Sequence, residues 1–289
     1  FRARLDVRGN DELGVLGRQL NETGANLQKV VEELEHEHQE MEKLERVRKD
    51  FVINVSHELR TPLASIQGYT ETLLDGAIND QENNIRFLNI VRQNAERLGR
   101  LTADLLTISR IELKTQKFQF ASYRLKGLLG DCVDTLRPVA AKKRVEMDVE
   151  VEDGELEVFC DAESVHQMMS NLLDNAIKYT PEGGRIRVGT RIVDDERVEV
   201  SVSDTGLGIP KEDLGRLFER FYRVDKARSR EMGGTGLGLA IVKHLARAQG
   251  GDVRVESEVG VGSTFTFTLP LEDLGLSEEA GVQSQYTQL

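Results

Sequence analysis

Positive charge is the scarcer sign in this sequence, with 38 Lys and Arg against 50 Asp and Glu and a formal net charge of −12. Nonspecific binding of nucleic acid or of an acidic membrane depends on a basic surface, so that class of partner is excluded. Any bound polyphosphate has to be held by a local arrangement of residues. Cysteine is almost absent. Cys132 and Cys160 are far apart and form no CxxC or Cys/His array, which argues against a disulfide framework and a cysteine metal site and predicts two small core residues of a reduced protein. No apolar run approaches the ~20 residues of a membrane span, and no signal peptide is visible. The chain starts at Phe1, not Met, and reads as a fragment of something longer.

What is present is charge and length. Charged residues make up 30% of the chain, apolar residues 39% and aromatics 5%, the mixture expected when long solvated helices accompany a compact domain. A length of 289 residues allows about two domains at the usual ~100–200 residues each. From Leu27 onward an alternating three-then-four spacing runs through Val30, Leu34, Glu37, Met41, Leu44, Arg48, Phe51 and Val55, the seam of a coiled coil interrupted at Glu37 and Arg48. So narrow a stripe cannot be buried by one helix alone, which predicts a dimer.

The same helix carries the densest chemistry in the chain. His57, Glu58 and Thr61 lie within one turn, and residues four apart share a face, so Thr61 is one turn beyond His57. Pro62 has no N–H for the carbonyl of Glu58, and its ring crowds that carbonyl, which predicts a bend or hinge there. The apolar spacing continues through Leu63, Ile66, Leu73 and Leu74 to a break at residues 75–80. A second helix then aligns Leu88, Val91, Ala95, Leu98, Leu101, Leu105 and Ile108. A helical hairpin is predicted, and two copies make a four-helix bundle. Ser65, Gln67 and Tyr69, just past His57, are contact positions for a partner protein or simply a solvated face.

Beyond Phe118 the pattern changes to mixed strands and helices. Strands are predicted at 118–121, 145–151, Arg185–Ile192, 197–203, 252–257 and 263–269, with helices at 125–143 and Ala162–Tyr179. On the second of these helices Asn171, Asn175, Lys178 and Tyr179 follow i, i+4, i+7, i+8 spacing and share one face opposite the apolar one. A side-chain amide oxygen suits Mg²⁺, which takes its remaining oxygens from water and substrate phosphates, and Lys178 is placed to neutralise phosphate charge. Asp204 ends a strand and is followed by Thr205 and then Gly206, Leu207, Gly208 and Ile209, so a carboxylate meets a turn open enough to admit a flat base. Residues 211–235 form a long charged connection, read as a lid, in which Arg223, Lys226, Arg228 and Arg230 are candidates for phosphate. It closes at Gly233, Gly234, Thr235, Gly236, Leu237, Gly238 and Leu239 ahead of a helix, where backbone N–H groups are open to phosphate oxygens. The Gly-x-Gly-x-Gly spacing is not the dinucleotide fingerprint, and neither a Walker A motif nor an HRD/DFG pair is present.

Taken together these motifs carry a resemblance. Ser56 to Leu63 resembles the phospho-acceptor box of sensor histidine kinases. Asn171 to Thr180, Asp204 to Pro210, Leu217 to Arg223 and Gly233 to Leu239 resemble the N, G1, F and G2 boxes of the GHKL ATPases. Asp11 to Gly14 with Leu16, Leu20 and Asn21 resembles the second half of a HAMP module. The boxes occur in family order from about residue 51 to residue 271, and the chain is similar to the PhoR-like group of sensor histidine kinases.

This resemblance implies an α+β, multidomain fold class: a coiled coil and antiparallel helical hairpin forming a dimeric four-helix bundle, then an α/β sandwich of the GHKL (Bergerat) type. The expected division is a HAMP-like part at 1–24, a signalling coiled coil at 25–50, a dimerisation and phosphotransfer domain at 51–113, an ATP-binding domain at 114–272 and a polar tail at 273–289. It implies ATP with Mg²⁺ held by Asn175 and Asn171, Thr264 near the adenine, and autophosphorylation of His57 with Glu58 as orienter and general base. Transfer to an aspartate of a response regulator receiver domain follows, with Thr61 serving a phosphatase activity. The implied setting is a homodimer on the cytoplasmic side of a bacterial inner membrane, with sensor and membrane segment upstream. A GHKL chaperone or repair ATPase shares the nucleotide boxes but lacks the histidine helix, and a silent dimeric scaffold has no use for intact boxes.

Overall fold

The computed structural model describes residues 12–113, 115–225 and 234–272. The expectations for the first residues of the HAMP-like segment, for Lys226, Arg228, Arg230 and Gly233, and for the tail lie outside these. By its internal contacts the chain divides after Glu58.

The first helix, α1 (Glu12–Leu74), supplies all the described structure of the first unit. Its expected seam residues Val30, Leu34 and Met41 are 50, 58 and 66% exposed in the single chain. Its surface carries i,i+3 and i,i+4 pairs such as Lys43–Glu40 and Lys29–Glu33. Such exposed pairs contribute little each.

In the second unit α1 continues past Pro62, which is buried, and the helix does not end there as a strict breaker would require. It stops at Leu74, and Gly76, at φ 115°, turns the chain into the 3₁₀ turn Ala77–Asn79. Asp80 then organises the corner: Oδ2 accepts from Asn83 Nδ2 at 2.9 Å and Oδ1 accepts the Glu82 N–H at 3.0 Å. Those bonds, the one from the Asn83 side chain foremost, hold its carboxyl below the usual range. Helix α2 (Asn84–Glu112) returns antiparallel, with the Tyr69 and Phe87 rings 5.5 Å apart and Asn94 Nδ2 donating to Ser65 Oγ at 3.2 Å. The hairpin is as expected, but the apolar face of α2 divides. Leu88 is exposed, whereas Leu101 and Ile108 are 2% and 1% exposed and belong to the core of the following α/β module, not to a seam awaiting a second copy.

That module runs β1 (Phe120–Arg124), α3 (Leu125–Lys142), β2 (Glu146–Glu150), β3 (Glu157–Asp161), α4 (Ala162–Tyr179), β4 (Arg185–Ile192), β5 (Arg197–Asp204), α5 (Lys211–Leu214), α6 (Gly238–Ala248), β6 (Val253–Glu258) and β7 (Gly262–Pro270). Five strands form one sheet in the order β2-β4-β5-β7-β6, parallel only between β2 and β4. Alternate residues such as Val198, Val200 and Val202 of β5 and Phe265, Phe267 and Leu269 of β7 point inward onto the buried faces of α3, α4 and α6. The α/β sandwich matches expectation, with one strand added. β3, not predicted, pairs antiparallel with β1. It is only five residues long, and it delivers Asp161 to cap α4 through Oδ1 and the Ser164 N–H at 2.8 Å. β1 itself lies later than the predicted 118–121, because Phe120 stacks on Phe159 of β3 at 5.9 Å and sets the register.

Cys132 and Cys160 are buried free thiols pushed up to about 12 by burial, Cys132 lying 3.0 Å from His166 Nδ1. On the outer face of the sheet Glu199 accepts from Arg191 at 2.7 Å and from Arg254 at 2.9 Å.

Candidate functional site

The apolar face of α4 is fixed by Val165, Met168, Met169, Leu172, Leu173 and Ile177, all 5% exposed or less. Burying that face turns the opposite one outward. There Asn171, Asp174, Asn175, Lys178 and Tyr179 form one wall of a cavity of about 410 Å³. Lys178 Nζ is 2.5 Å from Asp174 Oδ2 in an i,i+4 pair, so the lysine enters the cavity already paired with a carboxylate. The spacing of the two asparagines singles out none of the three residues between them, and Asp174 joins the wall without having been expected there.

A second wall comes from the end of β5 and the turn after it. Asp204, Leu207, Gly208 and Ile209 line the cavity. Asp204 Oδ1 accepts the Gly206 N–H at 2.8 Å, yet burial is the larger influence and raises its carboxyl above the usual range. Gly206 itself lies behind the wall. A Cβ there would come within 2.6 Å of Asp204 Oδ1 and 2.7 Å of the Tyr179 carbonyl, so its absence lets β5 close on the end of α4. Ile209 is fixed from outside by its N–H to Ser257 Oγ at 2.8 Å.

The third wall is the glycine loop. Gly234, Thr235, Gly236, Gly238 and Leu239 line the cavity, while Leu237 is fully buried beneath it. Gly236, at φ 75°, has Phe221 Cα only 2.9 Å from where a Cβ would be, and its carbonyl accepts the Phe221 N–H at 2.7 Å. The segment carrying Phe221 and Tyr222 is thereby bound to the loop. Arg223 lines the cavity and its Nη2 donates to the Gly234 carbonyl at 2.8 Å. Tyr222, also on the wall, donates to Asp213 Oδ1 at 2.5 Å with the Arg216 guanidinium 4.4 Å from its ring centre.

Thr264 requires a correction. Side chains alternate along a strand, and in β7 it is Ser263 and Phe265 that face the cavity. Thr264 points to the outer face of the sheet, where its hydroxyl is 2.9 Å from Ser203 Oγ. A wall the sequence did not announce comes from α2: Arg100, Ala103 and Asp104 line the same cavity. Nothing in their local pattern distinguishes them from other polar positions of a solvated helix.

On α1, His57 is exposed and Glu58 half-buried at the end of the first unit; Thr61, in the second, is exposed.

Among the described residues no group of three His, Cys, Asp or Glu side chains is placed to hold a metal ion. The cavity offers amide oxygens instead. Asn171 Oδ1 lies beside Gly238, and its Nδ2 is buried without a hydrogen-bond partner. Asn171 and Asn175, one turn apart on the same wall, carry amide oxygens of the kind that suit a hard, oxygen-seeking cation such as Mg²⁺.

The chain matches two family models: the His Kinase A (phospho-acceptor) domain over residues 47–114 and the Histidine kinase-, DNA gyrase B-, and HSP90-like ATPase over residues 160–273. It is 40% identical over 235 residues to the sensor histidine kinase WalK of Bacillus subtilis, covering 81% of this chain and 38% of that protein. It is 40% identical over 229 residues to the phosphate regulon sensor protein PhoR of Pseudomonas aeruginosa, covering 77% of this chain and 50% of that one. Among solved structures, full-length ShkA in complex with AMPPNP superposes with a TM-score of 0.57 at 29% identity, covering 76% of this chain and 45% of that one. The chain thus spans half or less of the length of these relatives. Among the described residues no helix is long and apolar enough to cross a membrane.

Proposed function

The chain belongs to the sensor histidine kinase family, in the PhoR-like group, and from that premise we propose that it phosphorylates itself on His57 from ATP and passes the phosphoryl group to an aspartate of a response regulator. The observation that carries this reading is the convergence of Asn171 and Asn175, Asp204 and the 234–239 glycine loop, from three separate parts of the chain, on one cavity. The AMPPNP complex of ShkA supports a nucleotide as its occupant.

In this reading Asp204 accepts a hydrogen bond from the exocyclic amine of adenine, and the turn at Gly206–Gly208 admits the base. The backbone N–H groups of the glycine loop at the start of α6 take the phosphate oxygens. Arg223 adds positive charge at the same end. Asn175 and Asn171 would hold Mg²⁺, which would supply positive charge against the phosphates. His57 attacks as neutral imidazole: Nε2 forms the bond to the γ-phosphorus, the bridging P–O bond breaks, and ADP leaves with that oxygen. Glu58 accepts the hydrogen bond of Nδ1–H, holds the tautomer and takes the proton as the ring gains positive charge. An oxygen of the receiver's aspartate then attacks the phosphorus, the P–Nε2 bond breaks, and Glu58 returns the proton to restore the neutral imidazole.

The exposed stripe of α1 and the His Kinase A match support a homodimer, and the greater length of the relatives supports a sensor and membrane anchor outside this chain. We assign Thr61, one turn beyond His57, to positioning water against the regulator's aspartyl phosphate. Thr61→Ala is expected to lower regulator dephosphorylation far more than autophosphorylation, and equal loss of both rejects that role.

The main test is covalent. With γ-labelled ATP the chain should acquire acid-labile, base-stable phosphate, and His57→Gln should acquire none while still binding nucleotide. Release of free phosphate without labelling of the protein would make it an ATPase of the same superfamily instead.

A further inference from the structure

The cavity wall contributed by α2 has no part in the chemistry above. Thr235 Oγ1 donates to Asp104 Oδ2 at 2.8 Å, so a carboxylate from the hairpin is hydrogen-bonded to the glycine loop beside the start of an 11-residue helix. The same Thr235 hydroxyl accepts the Leu237 N–H at 3.3 Å. Around this bond α2 is held along its last three turns. Leu101 and Ile108 are buried in the module's core, Gln167 Nε2 donates to Thr107 Oγ1 at 3.3 Å, and Arg220 pairs with Glu112 while its Nη2 lies 3.5 Å from His244 Nε2.

Asp104 differs from Asp174 and Asp204 on the other walls of the cavity. Asp174 is paired with Lys178 at 2.5 Å, and Asp204 belongs to the base-binding turn. Burial raises the Asp104 carboxyl above its usual range, and the hydrogen bond from Thr235 and the charges of Lys178 and Arg100 do not offset it. The start of a helix behind a glycine loop favours an anion, and here the protein supplies one. Phosphates held by the N–H groups of this loop would lie beside the Asp104 carboxylate bonded to its Thr235 hydroxyl, and two sets of negative charge in one partly buried cavity repel.

We propose that α2 is an internal competitor for the phosphates: while Asp104 is bonded to Thr235 the glycine loop already holds an anion, so that nucleotide binding and docking of α2 oppose each other. This rests on the nucleotide reading of the cavity. Because coupling between two binding events is reciprocal, nucleotide weakens the α2 contact by the factor by which the contact weakens nucleotide. The Glu112–Arg220 pair, half-exposed at the end of α2, sets how readily the helix lets go.

The test uses the full chain and AMPPNP with Mg²⁺, measured by calorimetry. Asp104→Asn keeps an acceptor for Thr235 and removes the charge; its affinity should rise about tenfold, and Glu112→Gln should raise it about threefold. In the unaltered chain AMPPNP should accelerate backbone hydrogen exchange across residues 101–111. Unchanged or weaker binding by Asp104→Asn overturns the competition and leaves the nucleotide site standing, whereas failure of the unaltered chain to bind AMPPNP removes both. Should Asp104→Asn not fold, the exchange measurement decides, and protection of 101–111 that is unchanged or increased by AMPPNP overturns the proposal.

Discussion

Two helical stretches with the same kind of apolar spacing end in opposite environments. On α4, Val165, Met168, Leu172 and Leu173 are 1% exposed or less, while on α1 Val30, Leu34 and Met41 remain at least half exposed. Ion pairs follow suit: Glu199 on the sheet is 8% exposed between two arginines, whereas the Lys43–Glu40 pair lies in open solvent. Periodicity states that a face wants covering. Whether the cover comes from the same chain depends on what the chain folds beside it.

The largest effect that sharpens this contrast is at the α4 core. Leu173→Ala should cost about 2–5 kcal/mol of unfolding free energy, read from the denaturant midpoint, since it leaves a cavity in a closed core. A cost near zero would mean that α4 does not carry that core. On the opposite face of the same helix, Asn175→Ala should weaken AMPPNP·Mg²⁺ binding by about 2–3 kcal/mol while leaving the nucleotide-free midpoint in place, because a charge-assisted contact is lost without disturbing packing.

Next is Glu199→Gln, expected to cost about 1–2 kcal/mol near neutral pH. Hydrogen bonds from Arg254, then Arg191, hold the Glu199 carboxyl at about 2, below the ordinary 4.5. A depressed carboxylate contributes its stability above the unfolded value and loses it as pH falls through the folded one. The stability difference between the unaltered chain and the Glu199→Gln variant is therefore present at pH 7 and closes between about 4.5 and about 2. A gap that persists at pH 2 would show that packing, not charge, is responsible. Lys43→Ala, its exposed counterpart, should leave the denaturant midpoint where it is, because solvent screens that pair in the folded chain.

The comparison can also be broken at the stripe. Leu34→Ala should raise the dimer dissociation constant about tenfold, measured by sedimentation, and leave the unfolding midpoint of the α/β module unchanged. A dimer indifferent to Leu34 would place the partner of α1 elsewhere.

Much of the fold was legible because its signals are local. The ends of α4 and β4, the stop of α1 at Leu74 and the cavity face of Asn171, Asn175, Lys178 and Tyr179 follow from spacing, a glycine turn and one buried stripe. β3 was missed because five residues carry too little periodicity, and it becomes a strand only by pairing with β1. Thr264 was assigned from motif position, but strand parity decides the face, and one residue to either side are Ser263 and Phe265 on the wall.

By itself the sequence determined the alternation of helices and strands, the glycine loop ahead of α6 and the grouping of polar residues on one side of α4, since each depends on neighbours within a few turns. Only the tertiary structure decided that the last turns of α2 pack into the α/β core and that Asp104 meets Thr235, 131 residues away. The physical reason is that the apolar face of α2 suits any complementary surface equally well. Its cover is chosen by long-range packing, and the carboxylate is carried to the glycine loop by that choice.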